Sequence, residues 1–172
     1  AFFRSELEAF LTLTQRTGTE PLALRGSYAG AMGLPQFMPS SWSKYALDFD
    51  GDGRVDLFHS AADVIGSVAN YFKAFGWKPG MPTHYPVRLT AEGLEKAALL
   101  APDILPTFSA ATLVTLGAEL DAAALQHDGP LALVELQNGD APPLYLAGTE
   151  NFYAITRYNW SSYYALAVIE LG

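Results

Sequence analysis

Cysteine is absent from the 172 residues. Its absence removes disulfides, thiolate nucleophiles and cysteine-based zinc sites, and suits oxidising and reducing compartments equally. Long apolar runs are missing too: half the residues are apolar, but Gly, Pro and charged residues interrupt every run well short of the roughly 20 needed to cross a bilayer. Basic residues are scarce. Lys and Arg number 10 against 18 Asp and Glu, for a net charge of -8 with no local basic cluster, so a phosphate backbone is repelled and nucleic acid is excluded as a partner. The remaining composition, 50% apolar and 13% aromatic, suffices for a core in one domain, or one domain with a small subdomain. The sequence opens at Ala1-Phe2-Phe3-Arg4 without an initiator Met or a basic-then-apolar leader, and the expectation is that further chain precedes it.

Periodicity divides the chain into residues 1–80, 81–150 and 151–172. Phe3, Leu7, Phe10, Leu11 and Thr14 recur at helical spacing, with Arg4, Glu6 and Glu8 on other faces as a solvated surface. Residues 18–21 break this helix, and 24–42 read as an ordered loop rich in Gly, Ser, Met and aromatics. Ser40-Ser41 is expected to cap a short helix, and Ser60 a second one with Val64, Ile65, Val68, Tyr71, Phe72 and Phe75 on a broad face. Thr90 is expected to cap a helix over 91–100. Strands are expected at 131–136 and 144–147, joined by the Asn138-Gly139-Asp140 turn as a small hairpin. Helical spacing returns at 151–156 and 161–171. The expected fold class is mainly α (α+β), helical with a minor sheet inserted late.

Residues 48–56, DFDGDGRVD, carry the densest chemistry. Asp48, Asp50 and Asp52 stand at positions 1, 3 and 5 of an EF-hand-like loop, Gly53 at the sharp turn of position 6, and Arg54 offers its carbonyl at position 7. Five of the nine Asp residues lie within 48–63, where mutual repulsion calls for a cation; the plain alternative is a metal-free Asp/Gly turn. Position 12 is His59 instead of the bidentate Glu a calcium sensor uses. Asp63, four residues on, replaces it as the closing ligand, so the metal set is Asp48, Asp50, Asp52, Arg54 and Asp63. A single hand reads as a structural clip, with a calcium switch as the alternative.

Residues 26–42, GSYAGAMGLPQFMPSSW, combine glycines, methionines, aromatics, one Gln and several hydroxyls. That mixture suits carbohydrate, whose ring faces stack on aromatics and whose hydroxyl and acetamido groups need two-way hydrogen-bonding partners such as Gln36 and Ser27. Met32 is adaptable enough to meet an acetyl or lactyl group, although Met32, Phe37 and Met38 also suit a core. Residues 151–160, NFYAITRYNW, form a second aromatic-rich segment, readable either as a glycan patch or as one helix face.

Taken in order, ELEAFL, GSYAGAMGLPQFMPSSW, DFDGDGRVD, IGSVANYFKAFGW and NFYAITRYN resemble the B-type lytic murein transglycosylases, soluble or membrane-bound. The resemblance runs from Phe3 to about Trp77, is weak over 78–150, and resumes at Asn151. It implies a lysozyme-like helical fold with an EF-hand-like calcium site and the catalytic region's carboxyl-terminal part. The implied activity is cleavage of the MurNAc–GlcNAc bond of peptidoglycan, without water, to a 1,6-anhydro-MurNAc end. By motif, Ser27, Met32 and Gln36 would contact the glycan or its peptide stem. Tyr71 would lie near the reaction centre, and Tyr158 and Asn159 would line the cleft from the far side. Phe2 stands where the family often has a sugar-facing Tyr.

The resemblance also sets the chemistry expected. The family's acid is a Glu followed by Thr or Ser, and none of the nine Glu here is so followed; the acid is expected upstream of Ala1 and this segment alone is expected to be inactive. One carboxyl group suffices when the MurNAc 6-hydroxyl replaces water as the nucleophile. Calcium is the one cofactor implied, with no organic cofactor, and glycan strands are the partner. A bacterial periplasm or cell envelope is the implied location, with room for other cell-wall enzymes and for a membrane anchor ahead of Ala1. The alternatives are a non-catalytic, calcium-stabilised peptidoglycan-binding module and a calcium-responsive interaction protein.

Overall fold

The structure, a computed structural model, describes residues 1–90 and 94–172. The chain folds as two compact units, Ala1–Ala74 and Phe75–Gly172. The fold is mainly helical with a small antiparallel sheet, and the sheet lies wholly in the second unit.

In the first unit, α1 (Phe2–Thr17) is stopped by Gly18, whose φ of 67° places it in the left-handed region that favours glycine. A single 3-10 turn, Pro21–Ala23, follows, and α2 spans Pro39–Tyr45. Pro39 holds the first turn of α2, where its missing N–H costs nothing. Ser40 and Ser41 do not cap it. Instead Glu6 reaches across from α1, its Oε2 accepting the Ser40 N–H at 3.0 Å and its Oε1 the Ser40 hydroxyl at 2.7 Å. Glu6 is therefore buried, 8% exposed, and not part of a solvated helix face. Helical spacing could not reveal this, because the partner lies 34 residues away.

The third helix, α3 (Ala61–Ala74), begins as expected, with the Ser60 hydroxyl accepting the Asp63 N–H. Of the expected face Tyr71 is buried and Val64, Val68, Phe72 and Phe75 are half-buried, but Ile65 is 67% exposed, and Asp63, Gly66 and Ser67 are buried instead. The acidic loop occupies this face. Phe49 lies directly on Gly66, where an added Cβ would come within 2.4 Å of the ring, and Ser67 Oγ accepts the Leu47 N–H.

The second unit is built on a sheet in the order β2-β1-β4-β3. The expected hairpin is present as β3 (Ala132–Asn138) and β4 (Ala141–Gly148), turning at Gly139 with φ 57°. Two further strands, β1 (His84–Leu89) and β2 (Ala118–Leu120), extend it. β1 hides in the sequence because Pro86, which has no N–H to give a ladder, sits inside it opposite Leu146. Thr90 does not cap a helix; its N–H and hydroxyl both bond the Gly117 carbonyl beside β2. Residues 91–93 of the expected 91–100 helix lie outside the described residues, and α4 spans Lys96–Leu100. Short helices α5 (Ala110–Thr115) and α6 (Ala122–Leu125) complete the core around Tyr85, Leu99, Leu113, Leu131 and Leu133. The last helices, α7 (Glu150–Thr156) and α8 (Ser162–Leu171), pack on β4 and β3. No helix among the described residues is long and apolar enough to cross a membrane.

Candidate functional site

The acidic loop is shaped by its own backbone. Asp48 Oδ1 accepts the N–H groups of Gly51 and Asp52, and Oδ2 that of Gly53, so one carboxylate winds the chain around itself. Gly51 and Gly53 take φ values of 75° and 93°, which the tight winding needs and a side chain would resist. Asp50 accepts the Asp52 N–H and, through Oδ2, the Ser60 hydroxyl at 2.8 Å.

Asp63 anchors the loop from α3. Its Oδ1 accepts the N–H groups of Phe49 and Asp50, and its Oδ2 that of Asp56 at 2.8 Å, although the residue is only 1% exposed. The Asp56 N–H bond, aided by those from Phe49 and Asp50, holds its carboxyl below the usual Asp value against the opposing effect of burial. One oxygen from each of Asp48, Asp50 and Asp63 falls within 4.8 Å of the others.

Three carboxylates thus converge, and the neighbouring Arg54 and His59 side chains are engaged elsewhere. Arg54 Nε pairs with Asp52 Oδ2 at 3.1 Å, and the His59 ring sits 3.1 Å from Asp56 Oδ2. Among the described residues, no ion pair reaches Asp48, Asp50 or Asp63. Oxygen-only donors at this spacing fit a hard cation of the calcium type. Of the expected set, Asp48, Asp50 and Asp63 come together, while the Asp52 side chain turns to Arg54.

Residues 26–37 form a narrow ladder in which Met32 bridges both Gly26 and Phe37. At Gly26 an added Cβ would lie 2.7 Å from the Ala31 carbonyl oxygen, which explains the glycine. Ser27 is exposed and its hydroxyl accepts the Ala31 N–H. Gln36 is exposed, in the left-handed region at φ 52°, with its amide nitrogen donating to the Gly33 carbonyl.

Ser27 and Met32 share a cavity of about 280 Å³ with Phe3, Glu6 and Leu7 of α1. Met32, 3% exposed, also borders a cavity of about 500 Å³ lined by Thr14, Trp42, Arg54 and Phe58. Gln36, Phe2 and Tyr71 line neither. Phe2 is 58% exposed and meets Phe3 edge-on, while Tyr71 is buried with its ring against Phe37, Tyr45 and Phe72. In the second unit Tyr158 stacks parallel to Tyr164 at 6.4 Å, and Asn159 is exposed. Sequence reasoning missed Glu6 and Ser67. Each carries its signal in a partner on a distant element, which no local window contains.

The family described as Transglycosylase SLT domain matches residues 1–172. The chain is 43% identical over 177 residues to membrane-bound lytic murein transglycosylase B of Escherichia coli (strain K12), a match covering 99% of this chain and 45% of that protein. It is similar to the crystal structure of soluble lytic transglycosylase SltB1 from Pseudomonas aeruginosa, with a TM-score of 0.87 and 44% identity over 99% of this chain and 55% of that one. It is also similar to the Escherichia coli lytic transglycosylase Slt35 in complex with calcium, with a TM-score of 0.82 and 42% identity over 97% of this chain and 51% of that one. The chain thus spans about half the length of these relatives. A match over its full length and this level of identity make it a member of the SLT-domain transglycosylase family.

Proposed function

We propose that this chain supplies the metal-holding and glycan-facing part of a lytic murein transglycosylase that cleaves MurNAc–GlcNAc bonds and leaves a 1,6-anhydro-MurNAc end. The observation that carries the reading is the 43% identity to a lytic murein transglycosylase over 99% of this chain. A substrate of this kind implies the periplasm or cell envelope as the place of action, with other cell-wall enzymes as neighbours.

Calcium is the cation proposed for the acidic loop, supported by the converging oxygens of Asp48, Asp50 and Asp63 and by the calcium complex of the Slt35 relative. Asp52 and the Arg54 carbonyl would complete the set. When bound, the ion supplies charge neutralisation and clips the loop to α3. Its role is structural, since Asp63 is buried in the body of the unit and ties the loop down through three N–H groups.

The glycan contacts proposed, on the family's motifs, are Phe2, Ser27, Met32, Gln36 and Tyr71 of the first unit and Tyr158 and Asn159 of the second. The chemistry needs one carboxylic acid. It protonates the glycosidic oxygen as the C1–O bond breaks, then takes the proton of the MurNAc 6-hydroxyl as that oxygen bonds to C1, so proton and water balance close without hydrolysis. None of the nine glutamates here has the following Thr or Ser of the family's acid, so the 172-residue chain is proposed to bind without turnover.

Digestion of purified sacculi, with products identified by mass spectrometry, tests this. The protein with its complete gene-encoded sequence should release anhydro-muropeptides, and the 172-residue chain none. Reducing-end products would make the enzyme a hydrolase. Turnover by the 172-residue chain would assign the acid to one of its own glutamates, and binding without turnover by the complete protein would favour a non-catalytic module.

A further inference from the structure

The cavity of about 500 Å³ in the first unit has no part in the chemistry assigned so far, and of the proposed glycan contacts only Met32 borders it. Its lining is apolar through Leu13, Trp42, Val55 and Phe58 and cationic through Arg16 and Arg54. No carboxylate among the described residues lines it. In a chain with 10 basic residues against 18 acidic ones, two guanidiniums and no acid border one cavity. Arg16 makes no ion pair among the described residues. Arg54 makes one, through Nε to Asp52 Oδ2 at 3.1 Å, and both side chains of that pair are open to solvent.

This lining has the complement of an anion carried on an apolar body. A guanidinium offers five N–H donors in a fixed fork that matches a carboxylate, and Arg54 commits one of them to Asp52. The apolar walls suit a hydrocarbon group, and the volume lies within the range of small-molecule sites. Ion pairs as exposed as Arg54 with Asp52 contribute little to stability, so a second carboxylate can draw the guanidinium away at small cost. Asp52 is the side chain that stands apart from the converging Asp48, Asp50 and Asp63 because Arg54 holds it.

We propose that this cavity binds a small monocarboxylate with an apolar body through Arg16 and Arg54, and that the bound carboxylate, by taking Arg54 from Asp52, releases Asp52 to the cation of the acidic loop. The two ligands then strengthen each other, each raising the affinity for the other by the same factor. The coupling rests on the calcium reading of the loop; the cavity itself does not.

Calorimetric titration of the 172-residue chain with 3-phenylpropanoate, and with 3-phenylpropanamide as its uncharged counterpart, tests the cavity in the presence of EGTA and the coupling in the presence of calcium. The carboxylate should bind at least about tenfold more tightly than the amide. Saturating carboxylate should tighten calcium binding about fivefold, and saturating amide should leave it unchanged. Arg54→Gln keeps the backbone carbonyl and frees Asp52, so it should tighten calcium binding without any carboxylate and respond no further when carboxylate is added. Arg16→Gln should weaken the carboxylate about tenfold. Circular dichroism matching the parent establishes that each variant is folded; should a variant fail this check, the comparison of carboxylate with amide on the parent decides. A parent that binds neither compound, or binds both equally, overturns the site. Carboxylate binding that leaves calcium affinity within about twofold overturns the coupling alone. A parent that takes up no calcium overturns the calcium reading and the coupling with it, while the titrations in EGTA still decide the cavity.

Discussion

The first unit and the second solve the same problem with different materials. Residues 1–74 hold long loops in place by burying polar side chains against backbone N–H groups: Glu6 on Ser40, Asp63 on Phe49, Asp50 and Asp56, Ser67 on Leu47. Residues 75–172 instead close a four-stranded sheet over a contiguous apolar core containing Leu99, Leu113, Leu131 and Leu133, each at most 1% exposed. Buried apolar area is non-directional and tolerates modest repacking, whereas a buried carboxylate depends on every partner it has. The loop-rich unit should therefore fail abruptly on loss of single charges or of the ion, and the sheet unit should not notice.

The largest expected effect is that of calcium. At a free concentration of about 100 times its Kd, the ion should stabilise the first unit by about 2.7 kcal/mol. Chelation should lower a melting transition reported by Trp42, 8% exposed in that unit, while hydrogen exchange in β1, β3 and β4 stays unchanged. Equal destabilisation of both units would remove the contrast. Next comes Glu6→Ala, expected to cost the first unit about 2 kcal/mol in urea unfolding by leaving the Ser40 donors without their carboxylate. Glu6→Gln should recover part of this, because its amide oxygen still accepts one of the two bonds.

Gly66→Ala should act more locally. The new methyl would press on the stem of Phe49, whose neighbours Asp48 and Asp50 belong to the acidic cluster, so calorimetry should find weaker calcium binding together with a lower calcium-free melting temperature of the first unit.

The smallest effect belongs to the second unit, where Lys96 Nζ pairs with Glu135 at 2.7 Å and with the Tyr145 hydroxyl at 2.8 Å. The Lys96 bond is the main reason the Glu135 carboxyl lies below its usual value, and the Glu135 bond the main reason the Lys96 ammonium lies above its own. With a depressed folded pKa, the Glu135 contribution is present at neutral pH and is lost as pH falls through that value. With a raised folded pKa, the Lys96 contribution is full below the ordinary Lys range and is lost as pH rises through that value. The stability gap between the parent and Glu135→Gln should accordingly be widest near neutrality and narrow at both extremes, and it should be small because Lys96 is partly solvated.

What the sequence disclosed follows the same division. The acidic cluster was legible because Asp48 and Asp50 stand two residues apart in one Gly-rich stretch, and Asp63, singled out because His59 stands at position 12, lies beside them. The hairpin was legible from Asn138-Gly139-Asp140 between apolar runs. β1 was not, because Pro86 interrupts its pattern and only the neighbouring strands make it a strand. Glu6 was misread as solvated because its burial comes from α2, and Ile65 was misread as part of the buried α3 face because the loop covers Gly66 and Ser67 instead. In each case the missing information was a partner distant in sequence, while acidic runs and turns declare themselves locally.

Met32 lines both the cavity beside Ser27 and the cavity beside Trp42. Its side chain is a wall common to the two, so a substitution that shortens it enlarges the room beside Ser27 and the room beside Trp42 together.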